Sequence, residues 1–257
     1  ATIRGSLGEL VEVAGSCVGF EPVALIPGTR TEVEDELPWF AGFLAADNLI
    51  APAPAAGEER TLLIIKPENW RAPGVRPGAI IDMLGATGLR WVGCKMHGMS
   101  VAEALEFYGP VRQALRAKLG PKLGVRALAL LEAEFKVKFD SGSAEALVRA
   151  AGDGLADDEF ERIVEFMAGK RPSAVPESER SQPAGARCMV LVFDGPDAVA
   201  RIRAILGPTD PSKAPGGTVR HDFGTDIMVN AAHASDSTAS FEREGGIVRI
   251  HENDAAA

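Results

Sequence analysis

Asn230-Ala231-Ala232-His233-Ala234-Ser235-Asp236-Ser237 sets a histidine among small residues and follows it with a hydroxyl, a carboxylate and a second hydroxyl. The alanines leave the imidazole reachable by a bulky substrate. Glu244 follows near the end of a short helical stretch, within reach of a ring nitrogen. A histidine with one nitrogen anchored by a carboxylate offers the other as a nucleophile or a base. A lone histidine is as readily a core or surface residue with an ordinary hydrogen bond, so its weight comes from the rest of the chain.

The rest of the chain supplies groups suited to phosphate. Lys66, Arg203 and Arg220 are cations able to neutralise phosphate oxygens, while Tyr108, Thr209 and Asn230 carry hydroxyl and amide groups able to fix their orientation. A GxxxxGK[ST] loop, a GxGxxG after a strand, a GxSxG elbow and an HExxH pair are all absent, which argues against Walker-type, dinucleotide, hydrolase-elbow and zincin chemistry.

Several elements must position these groups. Thr61 to Ile65 is a continuous apolar run, the mark of a strand buried on both faces, and Lys66-Pro67 ends it. A lysine there points from the sheet edge into whatever cleft lies beyond, or snorkels to solvent. Ala79 to Leu84 reads as a helix and Leu89 to Met96 as a second strand. Ser100 to Glu103 has capping-box spacing and opens a helix through Tyr108. Residues 110–157 are largely helical, with a short helix over 144–151 and a separate one opened by Asp157-Asp158-Glu159-Phe160. Residues 171–186, rich in Pro, Ser and Glu, read as an exposed loop. Cys188 to Phe193 is a third strand, and Asp194-Gly195-Pro196 starts a helix that Gly207-Pro208 ends. A last helix runs from Thr238 to Glu244, closed by Gly245-Gly246.

Composition sets the outer bounds. The 257 residues can bury a large core, and no apolar run is long enough to cross a bilayer. Glu9 and Glu12 interrupt the N-terminal region where a secretory signal would be apolar. Cys17, Cys94 and Cys188 are odd in number and far apart, as suits thiols in a reducing compartment, so a cytoplasmic location is expected. Residues 1–59 hold ten acidic and two basic residues, which accounts for nearly all of the net charge of −9. An acidic chain without a basic stripe is not built for nucleic acid. Ala51 to Gly57 is a proline-rich linker. The expected division is an acidic extension with linker over 1–59 and a domain over 60–257 that carries a helical insertion at about 110–157, with short strands and a helix near 38–47 inside the extension.

Taken together, these blocks resemble nucleoside diphosphate kinases. The likeness rests on Leu63-Ile64-Ile65-Lys66-Pro67, on Asp194-Gly195 leading to Arg203 and Leu206-Gly207-Pro208-Thr209-Asp210-Pro211, on Pro215-Gly216-Gly217-Thr218-Val219-Arg220-His221-Asp222-Phe223, and on the stretch around His233. It covers residues 61–109 and 158–250; the extension, most of 110–157 and the loop 171–186 have no counterpart.

The resemblance implies an α/β (α+β) fold with a ferredoxin-like βαββαβ core and an antiparallel sheet. It implies transfer of a γ-phosphoryl group from a nucleoside triphosphate to a nucleoside diphosphate through a phosphohistidine on His233. Glu244 orients the histidine, Lys66 acts in catalysis and in phosphate binding, and Arg203, Arg220, Tyr108, Thr209 and Asn230 complete the cradle. Mg²⁺ arrives with the nucleotide, and Asp236 meets it through water. Two adjacent aromatics usually open the helix before Met167; here Glu159 stands first and Phe160 second, which leaves open whether Glu159 or Phe160 meets the base, with Ile163 or the insertion as the further candidate. The loop after Pro67 is longer than the family's. The partners implied are nucleoside di- and triphosphates and a second copy of the chain, in a dimer or other small homo-oligomer, with neither nucleic acid nor membrane. The alternative is a nucleotide-binding regulatory module whose insertion docks a partner and whose turnover is weak.

Overall fold

The computed structural model describes residues 53–72 and 74–251. The expected strands and helix of the acidic extension lie outside the described residues. In chain order the elements are β1 (Glu59–Ile65), α1 (Arg76–Gly85), β2 (Arg90–His97), α2 (Val101–Phe107), α3 (Gly109–Lys118), α4 (Gly120–Phe135), α5 (Ser141–Ala168), β3 (Cys188–Gly195), α6 (Ala198–Leu206), α7 (Val219–Phe223), β4 (Ala232–Ala234) and α8 (Thr238–Ile247). Among the described residues no helix is long and apolar enough to cross a membrane.

The four strands form one antiparallel sheet in the order β2-β3-β1-β4. With α1 crossing from β1 to β2 and α6 from β3 to β4, this is the βαββαβ topology of the ferredoxin-like fold. The central strands are apolar on both faces because helices cover both. Leu62, Ile64, Val190 and Val192 meet α2, the C-terminal half of α5 and α8 on one face. Leu63, Ile65, Leu191 and Phe193 meet α1 and α6 on the other. His233 lies opposite Ile64 in the β1–β4 register, so it projects onto the first face, beside α2 and α8.

Local chemistry explains most boundaries. Ser100 accepts from the Glu103 N–H and Glu103 returns the bond to the Ser100 N–H, the capping box that starts α2. The two short helices expected over 144–151 and from Asp157 are instead one helix of 28 residues, α5, capped by the Asp140 side chain. Gly152 does not break it. A Cβ there would collide with the Gly120 backbone, so the glycine is the contact by which α4 and α5 lie close together. Asp157, expected as a helix start, sits inside α5 and pairs with Arg112 and Arg116 of α3. Nor does Pro196 open α6: the helix begins after Asp197, which takes a left-handed φ of 52°. Asp194 is buried instead and pairs with Arg60 at 2.6 Å. The loop 171–186 is partly structured, with 3-10 turns at Pro172–Ala174 and Glu177–Glu179. Helix α8 runs through Gly245 and Gly246, which puts Glu244 well inside it.

Candidate active site

Strand β4 is three residues long, and its pairing with β1 presents His233 half-buried, while Ala232 and Ala234 turn into the opposite core. His233 Nε2 lies 3.0 Å from Glu244 Oε2. The same oxygen accepts from Ser235 Oγ at 2.8 Å, and Oε1 accepts from Arg243 Nη2 at 3.0 Å. Glu244 is 4 % exposed, so its partners here are protein groups rather than solvent. A carboxylate accepts hydrogen bonds, so the ring nitrogen facing it carries the proton and Nδ1 keeps its lone pair free. The edges of Phe107 and Tyr108 pack around the imidazole, with ring centroids 5.1 and 6.0 Å away.

Lys66 follows directly on β1 and is 7 % exposed. Its ammonium donates to the Met228 carbonyl and to Asn230 Oδ1, the latter at 3.1 Å, and stands 4.7 Å from the Phe166 ring centroid. Burial pulls its pKa down from the ordinary 10.5 to about 8, against the pull of Glu68 and Asp226. Asn230 is fixed in turn by donating to the carbonyls of Thr209 and Ile227. The Thr209 residue itself is exposed.

Arg220, on α7, donates to the Gly207 carbonyl at 2.9 Å and to the Ala232 carbonyl at 3.0 Å. Its Nε is buried with no hydrogen-bond partner among the described residues, and so is the Tyr108 hydroxyl. Burial and the nearby Arg203 lower the Arg220 pKa to about 10; burial pushes that of Tyr108 up. Arg203 is exposed near the end of α6. Asp236 is exposed beside the loop, and hydrogen bonds from Ser240 and Ser237, with Arg203 near, keep its carboxyl below the usual range. Among the described residues no group of three or more His, Cys, Asp or Glu side chains could hold a metal ion.

The structure thus gathers His233 with Glu244 and Tyr108, Lys66 with Asn230, and Arg220 with Arg203. It keeps Phe160 away from solvent: the ring is 3 % exposed in the core, with the Arg112 guanidinium 5.6 Å from its centroid. Ile163 is half-buried against the same core, and Glu159 pairs with Arg162 at 3.2 Å. Sequence reasoning missed Ser235, Arg243, Phe166 and Ile227. Ser235 had a signal, since its position two residues after His233 sets it on the same face of the extended chain. Ile227 stands 64 % exposed on the loop that Asn230 braces.

The family model described as nucleoside diphosphate kinase matches residues 174–252. The nucleoside diphosphate kinase of Anaeromyxobacter dehalogenans strain 2CP-C is 50 % identical over 189 residues, covering 72 % of this chain and 85 % of that protein. That of Methanoregula boonei is 46 % identical over 70 residues, covering 27 % of this chain and 47 % of its own length, so the chain spans about half of that relative. A crystal structure of an NDP kinase from Pyrobaculum aerophilum is 25 % identical, with a TM-score of 0.48, covering 74 % of this chain and 94 % of that one.

The depressed Lys66 pKa has a consequence for stability. Between about 8 and the ordinary 10.5 the unfolded chain holds a proton on Lys66 that the folded chain has released. The burial cost is therefore fully present below about 8 and fades as pH rises. Urea unfolding of wild type and Lys66→Met is expected to differ by a pH-dependent amount, wild type gaining up to about 3 kcal/mol relative to the variant across that window. Parallel pH curves for the two proteins would show that Lys66 titrates normally.

Proposed function

The chain belongs to the nucleoside diphosphate kinase family, and on that premise we propose that it passes the γ-phosphoryl group of a nucleoside triphosphate to a nucleoside diphosphate through His233. The observation that carries this reading is the hydrogen bond from His233 Nε2 to Glu244, which leaves Nδ1 as the nucleophile. Nδ1 attacks the γ-phosphorus in line, the bond to the β–γ bridging oxygen breaks, and the diphosphate leaves with that electron pair. The acceptor diphosphate then attacks the phosphohistidine in the reverse sense, and Nδ1 recovers its lone pair. The Nε2 proton stays against Glu244 throughout, where the carboxylate offsets the charge that develops on the ring. Positioning and charge stabilisation supply the rate.

Lys66, Arg203 and Arg220 neutralise the phosphate oxygens, and the unpartnered Tyr108 hydroxyl and Arg220 Nε are further donors available to them. Asn230 braces Lys66, and Thr209 contributes its hydroxyl at the exposed rim. Mg²⁺ would come as part of the substrate and would lower the charge on the phosphate oxygens. The exposed carboxylate of Asp236 fits contact with such an ion through water. With Phe160 in the core, the base takes apolar contact from Ile163 and from Ile227. A cytoplasmic location, the extension over 1–59 and the kinase-like domain over 60–257 belong to the same reading, supported by the free thiols of Cys94 and Cys188 and by the start of β1 at Glu59.

Incubation with γ-labelled ATP is expected to put acid-labile label on the wild-type protein and none on His233→Ala, with loss of transfer by several orders of magnitude. Substantial turnover in the variant would sink the mechanism. In the same assay ATP, GTP and pyrimidine triphosphates are expected to serve with similar efficiency, because apolar side contacts read base edges weakly; a preference beyond about tenfold would contradict the base contacts proposed.

A homodimer is part of the proposal. Strand β2 is one of the two sheet edges and exposes Trp91 and Met96, 47 % and 41 %, on a surface that a second copy's edge can cover. Light scattering at low micromolar concentration is expected to give a dimer that Trp91→Glu dissociates. A hexamer, or a dimer indifferent to that substitution, would count against it.

A further inference from the structure

Ala231 has φ of 69°, a left-handed conformation that residues with a Cβ avoid, at the junction between Asn230 and the strand carrying His233. Three groups hold it there. Its carbonyl accepts from the Lys66 N–H at 3.0 Å and from Asn69 Nδ2 at 2.8 Å, and its own N–H donates to Glu68 Oε1 at 2.9 Å. The second oxygen of Glu68, Oε2, is buried with no hydrogen-bond partner among the described residues. A carboxylate among cations that receive phosphate weakens the pull on an anion, so its presence there calls for a reason.

We propose that Glu68 is a positioning residue for the transfer: Oε1 clamps Ala231, and the charge on the carboxylate is the fixed counter-charge of the buried Lys66 ammonium. This rests on the His233 reading given above. The clamp controls several groups at once. On one side of Ala231, Asn230 Oδ1 takes the Lys66 ammonium; on the other, the Ala232 carbonyl anchors Arg220, and His233 follows. Asn69 stiffens the arrangement: it is buried, its amide also reaches the Lys66 carbonyl at 3.0 Å, and its Oδ1 takes Arg76 Nε at 2.8 Å. The charged groups acting on Lys66 are Glu68, Arg220 and Asp226; its other contacts are the Phe166 ring, the Met228 carbonyl and the Asn230 amide. Of the two carboxylates, Glu68 acts the more strongly, and it alone touches Ala231. When phosphate enters, its charge takes over as the partner of Lys66, so the charge of Glu68 matters most to the empty enzyme, while its hold on Ala231 persists in the occupied one.

Glu68→Gln separates the two halves of the role, because the amide oxygen still accepts from Ala231 while the charge is gone. The pH profile of kcat/KM reports groups of the free enzyme, so wild type is expected to lose kcat/KM as pH rises through about 8, where Lys66 gives up its proton. In Glu68→Gln that alkaline limb is expected about one pH unit lower. A residue that only supports the fold would lower kcat/KM evenly and leave the limb in place; an unmoved limb, or no alkaline limb in either protein, overturns the counter-charge. Glu68→Ala removes both functions and is expected to lower kcat by tenfold or more at every pH. Adding Ala231→Gly, which accepts positive φ freely, should recover much of kcat but leave the limb displaced. No recovery overturns the clamp. Labelling of His233→Ala reports on the underlying reading separately: a dead His233→Ala beside an unmoved Glu68→Gln limb contradicts only the role given to Glu68.

Discussion

The grip of Glu244 on His233 is the constraint on which the rest of the site depends. Three donors, from His233, Ser235 and Arg243, converge on one buried carboxylate. Leaving such a group short of a partner would cost about 1–3 kcal/mol, so the arrangement resists rotation of the ring. It requires α8 to stand against β4, and two features secure that. Ser237 caps the helix by accepting from the Ser240 N–H at 3.1 Å. Gly245, where a Cβ would press on Ile250, lets the last turn of α8 lie close under the chain that follows it. The short β4 can present His233 because its neighbour β1 is buried from Thr61 to Ile65 and paired along both edges.

The cations show the opposite tendency. Lys66 and Arg220 are held largely out of water by main-chain carbonyls of Met228, Gly207 and Ala232, and both have lowered pKa values. Those acceptors are dipoles, so on the reading proposed above Glu68 supplies the main formal counter-charge at Lys66 until an anionic ligand meets the two cations. On that reading the empty protein carries the cost of the buried charges and a bound anion relieves it, a common allocation at functional sites. The strained Ala231 belongs to the same pattern, since it lies between the residues that contact the two charge systems.

Much of the core was legible because its signals are local. β1 and β3 read from apolar runs, since strands covered on both faces have no polar side to interrupt them; α2 read from the Ser100–Glu103 box, which is closed within one turn. Long-range contacts hid the rest. Gly152 looks like a break in sequence, yet α5 passes through it because the Gly120 backbone occupies the space a side chain would need. Gly245-Gly246 also looked like a stop, yet α8 continues through both to Ile247. At the site, residue type nominated His233, Glu244 and the cations, but type does not reveal direction: Phe160 is aromatic at the expected helix position, and its ring belongs to the core. The carbonyls that brace Lys66 and Arg220 were invisible, because every residue has one and only the backbone path decides which of them face inward.

The central claim is that Glu244 fixes Nε2 and leaves Nδ1 to carry the phosphoryl group. Nitrogen-15 NMR of the phosphoenzyme, labelled at histidine and formed with a nucleoside triphosphate, reads the attachment site directly. Phosphorus coupled to Nδ1 of His233, with Nε2 still protonated, is the result this account requires; coupling to Nε2, or to another residue, would contradict it.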